Sequence, residues 1–247
     1  MRLKSLMMRM QRLYSAQSSF SELGVLYIVW GSFDVDILLR SIRSVRNCLK
    51  LPVCLAGEGF PSVLEKSVDI YVPFDSKGRD LHSKDCMYNM SPFEVTLFLD
   101  LDTIVLGNLD FGFEMAQSHG LSLVLAPAFR VANYYLSLPD ISCGDLIVYN
   151  TGVIFFKKTK AVREVFDKWR FYNEHYQLAC DQPGLALSLY ATKFNPFVLP
   201  RTWNFRVENM FGRLHIDGHG PIKIWHSYKG PPNDLEFTNS KAPWAIL

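Results

Sequence analysis

Short apolar runs alternate with stretches of helical periodicity along most of this chain, and that alternation admits few folds. Val25 to Trp30 is an apolar run closed by Gly31-Ser32, which reads as a buried strand and a turn. Asp34 is a candidate N-cap, and Val35, Leu38, Ile42, Val45 and Leu49 recur behind it at helical spacing. Leu51 to Ala56 reads as a second strand, stopped by Gly57-Glu58-Gly59, and Val68 to Phe74 as a third. Ser83 to Met90 is expected as a short helix ended by Ser91-Pro92, before a fourth strand, Val95 to Leu99. Leu121 to Ala126 and Leu146 to Phe156 follow as strands. Val162, Val165, Phe166, Trp169, Tyr172 and Tyr176 mark one helix face between Ala161 and Leu178. Asp181 to Tyr190 reads as another helix, and Phe197 to Leu199 and Ile222 to His226 as short late strands. The pattern predicts an α/β fold, a mainly parallel sheet flanked by helices on both faces. Sheets of that kind bind ligands beyond the carboxyl ends of their strands.

No repeat or low-complexity stretch interrupts the pattern. The 247 residues, 49% of them hydrophobic, suit one domain with a sizeable core. We expect that domain to span 24–247, behind an extension at 1–23. A net charge of +2 gives no reason to expect nucleic acid as a partner, while leaving room for an anionic small ligand.

No apolar run reaches the ~20 residues of a membrane span. The first 21 residues carry Arg2, Lys4, Arg9 and Arg12 and no acid, with Leu3, Leu6, Met7, Met10, Leu13 and Tyr14 at helical spacing. Two readings stand: a loose, disordered extension, or a basic amphipathic helix that contacts a membrane surface or serves as a presequence. Cys48, Cys54, Cys86, Cys143 and Cys180 are odd in number and form no C-x-x-C pair. We expect free thiols acting as small core residues in a reducing compartment, and so a cytoplasmic chain, membrane-associated if the N-terminal helix forms.

The strongest chemical signal is Thr96-Leu97-Phe98-Leu99-Asp100-Leu101-Asp102-Thr103. Strand side chains alternate, so Asp100 and Asp102 are expected to project together from the end of a buried strand. Two carboxylates so close repel unless a cation joins them. A hard divalent ion such as manganese or magnesium suits these ligands and can hold a diphosphate.

At this point the chain resembles the GT-A glycosyltransferases, in particular glycosyltransferase family 8 and related nucleotide-diphospho-sugar transferases. The resemblance covers about Leu26 to Lys229 and rests on four segments in order. Lys84 precedes Ser91-Pro92-Phe93-Glu94 and the two-acid strand, and matches a basic residue near the donor phosphates. Tyr149-Asn150-Thr151-Gly152-Val153 looks like an N-[TS]-G segment facing sugar and acceptor. Cys180-Asp181-Gln182-Pro183-Gly184 looks like a D-Q segment opening a helix. Ile224-Trp225-His226-Ser227-Tyr228-Lys229-Gly230 is similar to a closing H-x-x-G-x-x-K strand, although the spacing to Lys229 departs from that pattern.

The resemblance implies a GT-A-like, Rossmann-like fold and a hexosyltransferase that retains anomeric configuration. Its donor would be a UDP- or GDP-sugar and its acceptor a carbohydrate or other hydroxyl. It implies Asp100, Asp102 and His226 as ligands of Mn2+ or Mg2+, and Trp30, Gly31, Ser32, Lys84, Asp100 and Lys229 as the donor site. Asp181 and Asn150 would be the catalytic residues, with Thr151, Gly152 and Gln182 on the sugar and acceptor side. No role is carried onto Arg201-Thr202-Trp203-Asn204-Phe205. Two other readings remain open at this stage. One is a haloacid-dehalogenase-like phosphatase with Asp100 as nucleophile, although the pair lies late in the chain and no late strand ends in a paired-acid or G-D-x-x-x-D pattern. The other is a binder of nucleotide-sugars without turnover.

Overall fold

The computed structural model describes residues 22–58, 61–74, 81–126, 146–176, 178, 180–206 and 221–231. The basic N-terminal segment, Cys143 and the C-terminal end lie outside these residues. Nine strands are described: β1 (Leu23–Ile28), β2 (Val53–Gly57), β3 (Ile70–Pro73), β4 (Val95–Leu99), β5 (Thr103–Val105), β6 (Leu121–Leu125), β7 (Tyr149–Lys157), β8 (Phe197–Leu199) and β9 (Ile224–His226). The helices are α1 (Val35–Cys48), α2 (Ser62–Glu65), α3 (Met87–Met90), α4 (Asp110–His119), α5 (Lys160–His175) and α6 (Asp181–Thr192). A 3-10 turn over Leu81–Cys86 leads into α3, so the expected Ser83 to Met90 helix is two unlike pieces. The strand predicted from Leu146 starts later, at Tyr149.

Seven strands form one sheet in the order β3-β2-β1-β4-β7-β6-β8, and β5 and β9 form a separate ribbon. Most neighbours in the sheet are parallel, but β7 runs antiparallel to both β4 and β6. Side chains alternate across this sheet into two cores. Val25, Tyr27 and Val29, Leu97 and Leu99, and Val153 and Phe155 join α1 and α4 on one face. Leu26 and Ile28, Phe98, and Ile154 and Phe156 join α5 and α6 on the other. The central strands β1, β4 and β7 therefore have both faces covered, which explains their near-continuous apolar sequence.

Helix α1 is capped as its sequence predicts, with Asp34 Oδ1 accepting from the N–H groups of Asp36 (2.9 Å) and Ile37 (3.2 Å). Gly112, inside α4, has a steric purpose: a Cβ there would come within 2.6 Å of the Phe155 ring. Cys54 and Cys86 are buried and Cys180 is half-buried, but Cys48 is exposed at the end of α1, contrary to its expected place in the core. Among the described residues no helix is long and apolar enough to cross a membrane.

Candidate functional site

Strands β1 and β4 lie side by side and parallel, so their carboxyl ends open at one rim. A cavity of about 330 Å³ sits there, lined among others by Trp30, Ser32, Lys84, Asp100, Asp102 and Tyr228. Its floor is the sequence that follows β4. The chain does not stay extended after Leu99. Asp100 C=O accepts from Thr103 N–H (3.2 Å) and from its Oγ1 (2.7 Å), closing a tight turn. The two carboxylates converge through this turn and not through strand alternation, which corrects the geometry expected from sequence.

Strand β9 then brings His226 to the pair. Thr103 pairs with His226 across the β5–β9 ribbon, and Ser227 N–H donates to Asp102 C=O at 2.9 Å. One ligand atom from each of Asp100, Asp102 and His226 falls within 4.8 Å of the others. His226 Nε2 lies 3.1 Å from Asp102 Oδ1 and 3.8 Å from Asp100 Oδ2. Two carboxylates and one imidazole nitrogen form a donor set suited to a divalent first-row ion. The other side of the site is shaped for close approach. A Cβ on Gly152 would collide with the His226 ring and lie 2.8 Å from Asp100 Oδ2, so glycine is the residue that fits.

Lys84 reaches in from the 3-10 turn. Its Nζ lies 2.7 Å from Asp100 Oδ1 and 2.8 Å from Oδ2. Burial disfavours its charge, but Asp100, Asp181 and Asp102 outweigh that and hold its pKa above the ordinary lysine value. Neighbouring Asp85 anchors the turn, accepting from Asn173 Nδ2 at 2.9 Å and facing Arg170 Nε at 3.5 Å. Asp102 also keeps its charge: burial pushes its carboxyl up, yet the hydrogen bond and charge of His226 and the charge of Arg206 hold it below the usual range.

Asp181 is 4% exposed at the start of α6. It is the first helical residue and not the cap, since Cys180 occupies that position. Burial raises its pKa, against the lowering effects of Lys84 and of a hydrogen bond from Thr151. Among the described residues its Oδ2 has no hydrogen-bond partner. A buried carboxylate oxygen left unpaired suits a group held for a ligand.

Solved structures with this architecture are numerous. Mouse xyloside xylosyltransferase 1 superposes with a TM-score of 0.59 at 12% identity, covering 86% of this chain and 99% of that one. The galactosyltransferase LgtC, solved with donor and acceptor sugar analogs, superposes with a TM-score of 0.61 at 12% identity, covering 90% of this chain and 94% of that one. This chain has the GT-A fold. The glycosyltransferase GlyE of Streptococcus pneumoniae TIGR4 matches with a TM-score of 0.60 at 16% identity, over 87% of this chain and 55% of that one. No family model matches the sequence, and no curated protein matches it.

On this GT-A frame the residues singled out from sequence do not all meet. Asp100, Asp102, His226, Lys84 and Gly152 converge at the rim, with Asp181 and Thr151 buried behind Lys84. Trp30 and Ser32 line the cavity beside them. Gly31 forms the bend between them with φ +63°. Asn150 is buried with its Oδ1 already accepting from Gly152 N–H and Asn204 Nδ2, both at 2.8 Å. Gln182 is half-buried in the first turn of α6. Lys229 is exposed after β9, with its backbone N–H 3.3 Å from Ser227 Oγ.

Two residues of the GT-A site carried no expectation. Tyr228 is 60% exposed at the cavity wall. Asn204 is buried and bridges Asn150 to His226. A polar residue set between Trp203 and Phe205 was the available signal for the second.

Proposed function

We propose that this chain is a glycosyltransferase that moves a hexosyl group from a nucleoside-diphosphate sugar, UDP- or GDP-linked, to an acceptor hydroxyl. The observation that carries this reading is the Asp100–Asp102–His226 cluster at the mouth of the cavity where β1 and β4 end. LgtC, of the same fold, binds donor and acceptor sugar analogs, which supports a like pair of ligands here. In the transfer, the bond from the anomeric carbon to the diphosphate oxygen breaks and its electron pair leaves on the diphosphate. The acceptor oxygen forms the new bond and releases its proton.

Asp100, Asp102 and His226 would hold Mn2+ or Mg2+, whose charge would stabilise the departing diphosphate. Lys84, already at Asp100, would turn its Nζ to the phosphates, with Lys229 nearby in sequence to add charge. Trp30, Gly31 and Ser32 would hold base and ribose. Asp181, with its unpaired Oδ2, would face the transferred sugar, and Thr151, Gly152 and Gln182 would complete that wall. Asn150 would shape the wall through its bond to Gly152 N–H. We read 24–247 as a single catalytic domain that retains anomeric configuration, as family 8 does. The phosphatase reading is less well supported, because Asp100 has both oxygens on Lys84 and the third member of the cluster is an imidazole.

The test pairs a thermal-shift screen of nucleotide-sugars, with and without Mn2+, with turnover of Asp102→Ala. A rise in Tm that needs both metal and one nucleotide type, and loss of metal-dependent turnover in a folded Asp102→Ala, are expected. Wild-type turnover in that variant, or activity indifferent to chelator, would overturn the assignment.

A further inference from the structure

The GT-A site contains a chain of three side chains whose polarity is set at one end by the backbone. Asn150 Oδ1 accepts Gly152 N–H at 2.8 Å. A backbone N–H only donates, so the atom that meets it is the amide oxygen. That same oxygen faces Asn204 at 2.8 Å, so Asn204 must present its NH2 group there. The carbonyl oxygen of Asn204 is then turned the other way, 2.6 Å from His226 Nδ1. An oxygen only accepts, so Nδ1 must carry a proton.

We propose that Asn204 is a positioning residue that fixes the proton of His226 on Nδ1 and so makes Nε2 the nitrogen available to a cation. This rests on the reading of Asp100, Asp102 and His226 as a metal site. Nε2 is the nitrogen that faces both carboxylates, 3.1 Å from Asp102 Oδ1 and 3.8 Å from Asp100 Oδ2, so a proton it carries in the metal-free chain is shared with Asp102 and is the one a cation displaces. A ring with its proton on Nε2 alone would turn a donor toward the cation position. Hydrogen bonds from outside the ligand shell commonly set the tautomer of a metal-binding histidine, and their loss weakens metal affinity about 10–100-fold.

The backbone gives Asn204 little freedom to do otherwise. Its N–H closes the 3-10 turn Arg201–Trp203 on Arg201 C=O at 3.1 Å. The next residue, Phe205, donates to Ile224 C=O and accepts from His226 N–H, each at 2.9 Å. Asn204 and His226 are therefore held side by side, and Asn204 is only 5% exposed, so no water competes freely for its amide.

The test uses the full chain with 15N-labelled histidine, free of metal and at alkaline pH, alongside Mn2+ titration followed by electron paramagnetic resonance. Wild type is expected to favour a proton on Nδ1, with or without a second on Nε2 toward Asp102. Asn204→Leu, which fills the space without an acceptor, is expected to lose that preference and to bind Mn2+ about 10–100-fold more weakly at a similar Tm. Asn204→Asp returns an oxygen to Nδ1 and is expected to restore the Nδ1 proton, and it keeps the test open if the Leu variant does not fold. An unchanged tautomer and unchanged Mn2+ affinity in Asn204→Leu would overturn the proposal. A tautomer that depends on Asn204 in a wild-type chain that binds no Mn2+ would leave the relay standing and remove the metal-site reading instead.

Discussion

Lys84 Nζ sits within 2.8 Å of both carboxylate oxygens of Asp100, closing on the carboxylate that also faces His226. An ammonium group thus neutralises one of the two acids that would otherwise repel each other. The same arrangement places Lys84 in competition with any cation for Asp100.

Replacing Lys84 by methionine separates those two effects. Removal of the competing charge should tighten Mn2+ binding to the nucleotide-free chain. Binding of the nucleoside diphosphate should weaken by at least about tenfold, since hydrogen bonds to charged groups carry about 1.5–3 kcal/mol. Calorimetric titration with Mn2+ alone, and with UDP and GDP in its presence, reads both. Parallel losses in the two titrations would mean that Lys84 builds the cation site and does not compete for it.

Gly152 tests the packing of the site without touching a charge. A methyl group there must displace His226 or Asp100, and neither is a free end: His226 is 2% exposed and Asp100 is held by Lys84. Gly152→Ala is expected to cost about 1–3 kcal/mol of stability, in the range of overpacked core substitutions. Mn2+ affinity should fall with it. Chemical denaturation and metal titration check the pair, and an alanine variant with native affinity would show that the ring moves aside easily.

What the sequence disclosed depended on whether the signal was local. Strand β4 was bounded at Val95 and Leu99 because an apolar run ends at a charged residue, and the structure has the same limits. The acids beyond it were visible for that reason. The antiparallel direction of β7 was not, because an apolar run reads the same both ways. Helix α4 escaped because Gly112 breaks its pattern, and its reason is the Phe155 ring of a distant strand. Strand β5 has three residues and follows directly on the Asp100-Leu101-Asp102 turn, so no break in the sequence sets it apart. Asn204 meets Asn150 and His226 across 54 and 22 residues, and no local spacing encodes such a contact.

Asp181 supplies a prediction in which stability and activity move in opposite directions. Burial raises its pKa, Lys84 and the Thr151 hydrogen bond pull it back, Asp100 raises it again, and the net shift is upward. Above its unfolded value, about 3.9, the unfolded chain releases a proton that the folded chain retains. Its contribution to stability therefore declines as pH rises from there through the folded pKa, and the deficit persists at neutral pH. Asp181→Asn removes that deficit. The variant should melt higher than wild type at neutral pH, with the advantage fading as pH falls through the unfolded value of about 3.9 and both states take up the proton. Turnover should fall by about 100-fold or more if the carboxylate faces the reacting sugar, the scale on which a lost charged contact in a transition state is felt. Melting curves across the pH range read the first effect and steady-state assays the second. An Asn variant that melts below wild type at neutral pH would mean that the attraction of the Lys84 charge outweighs the burial of Asp181, and that the acid is there for the fold.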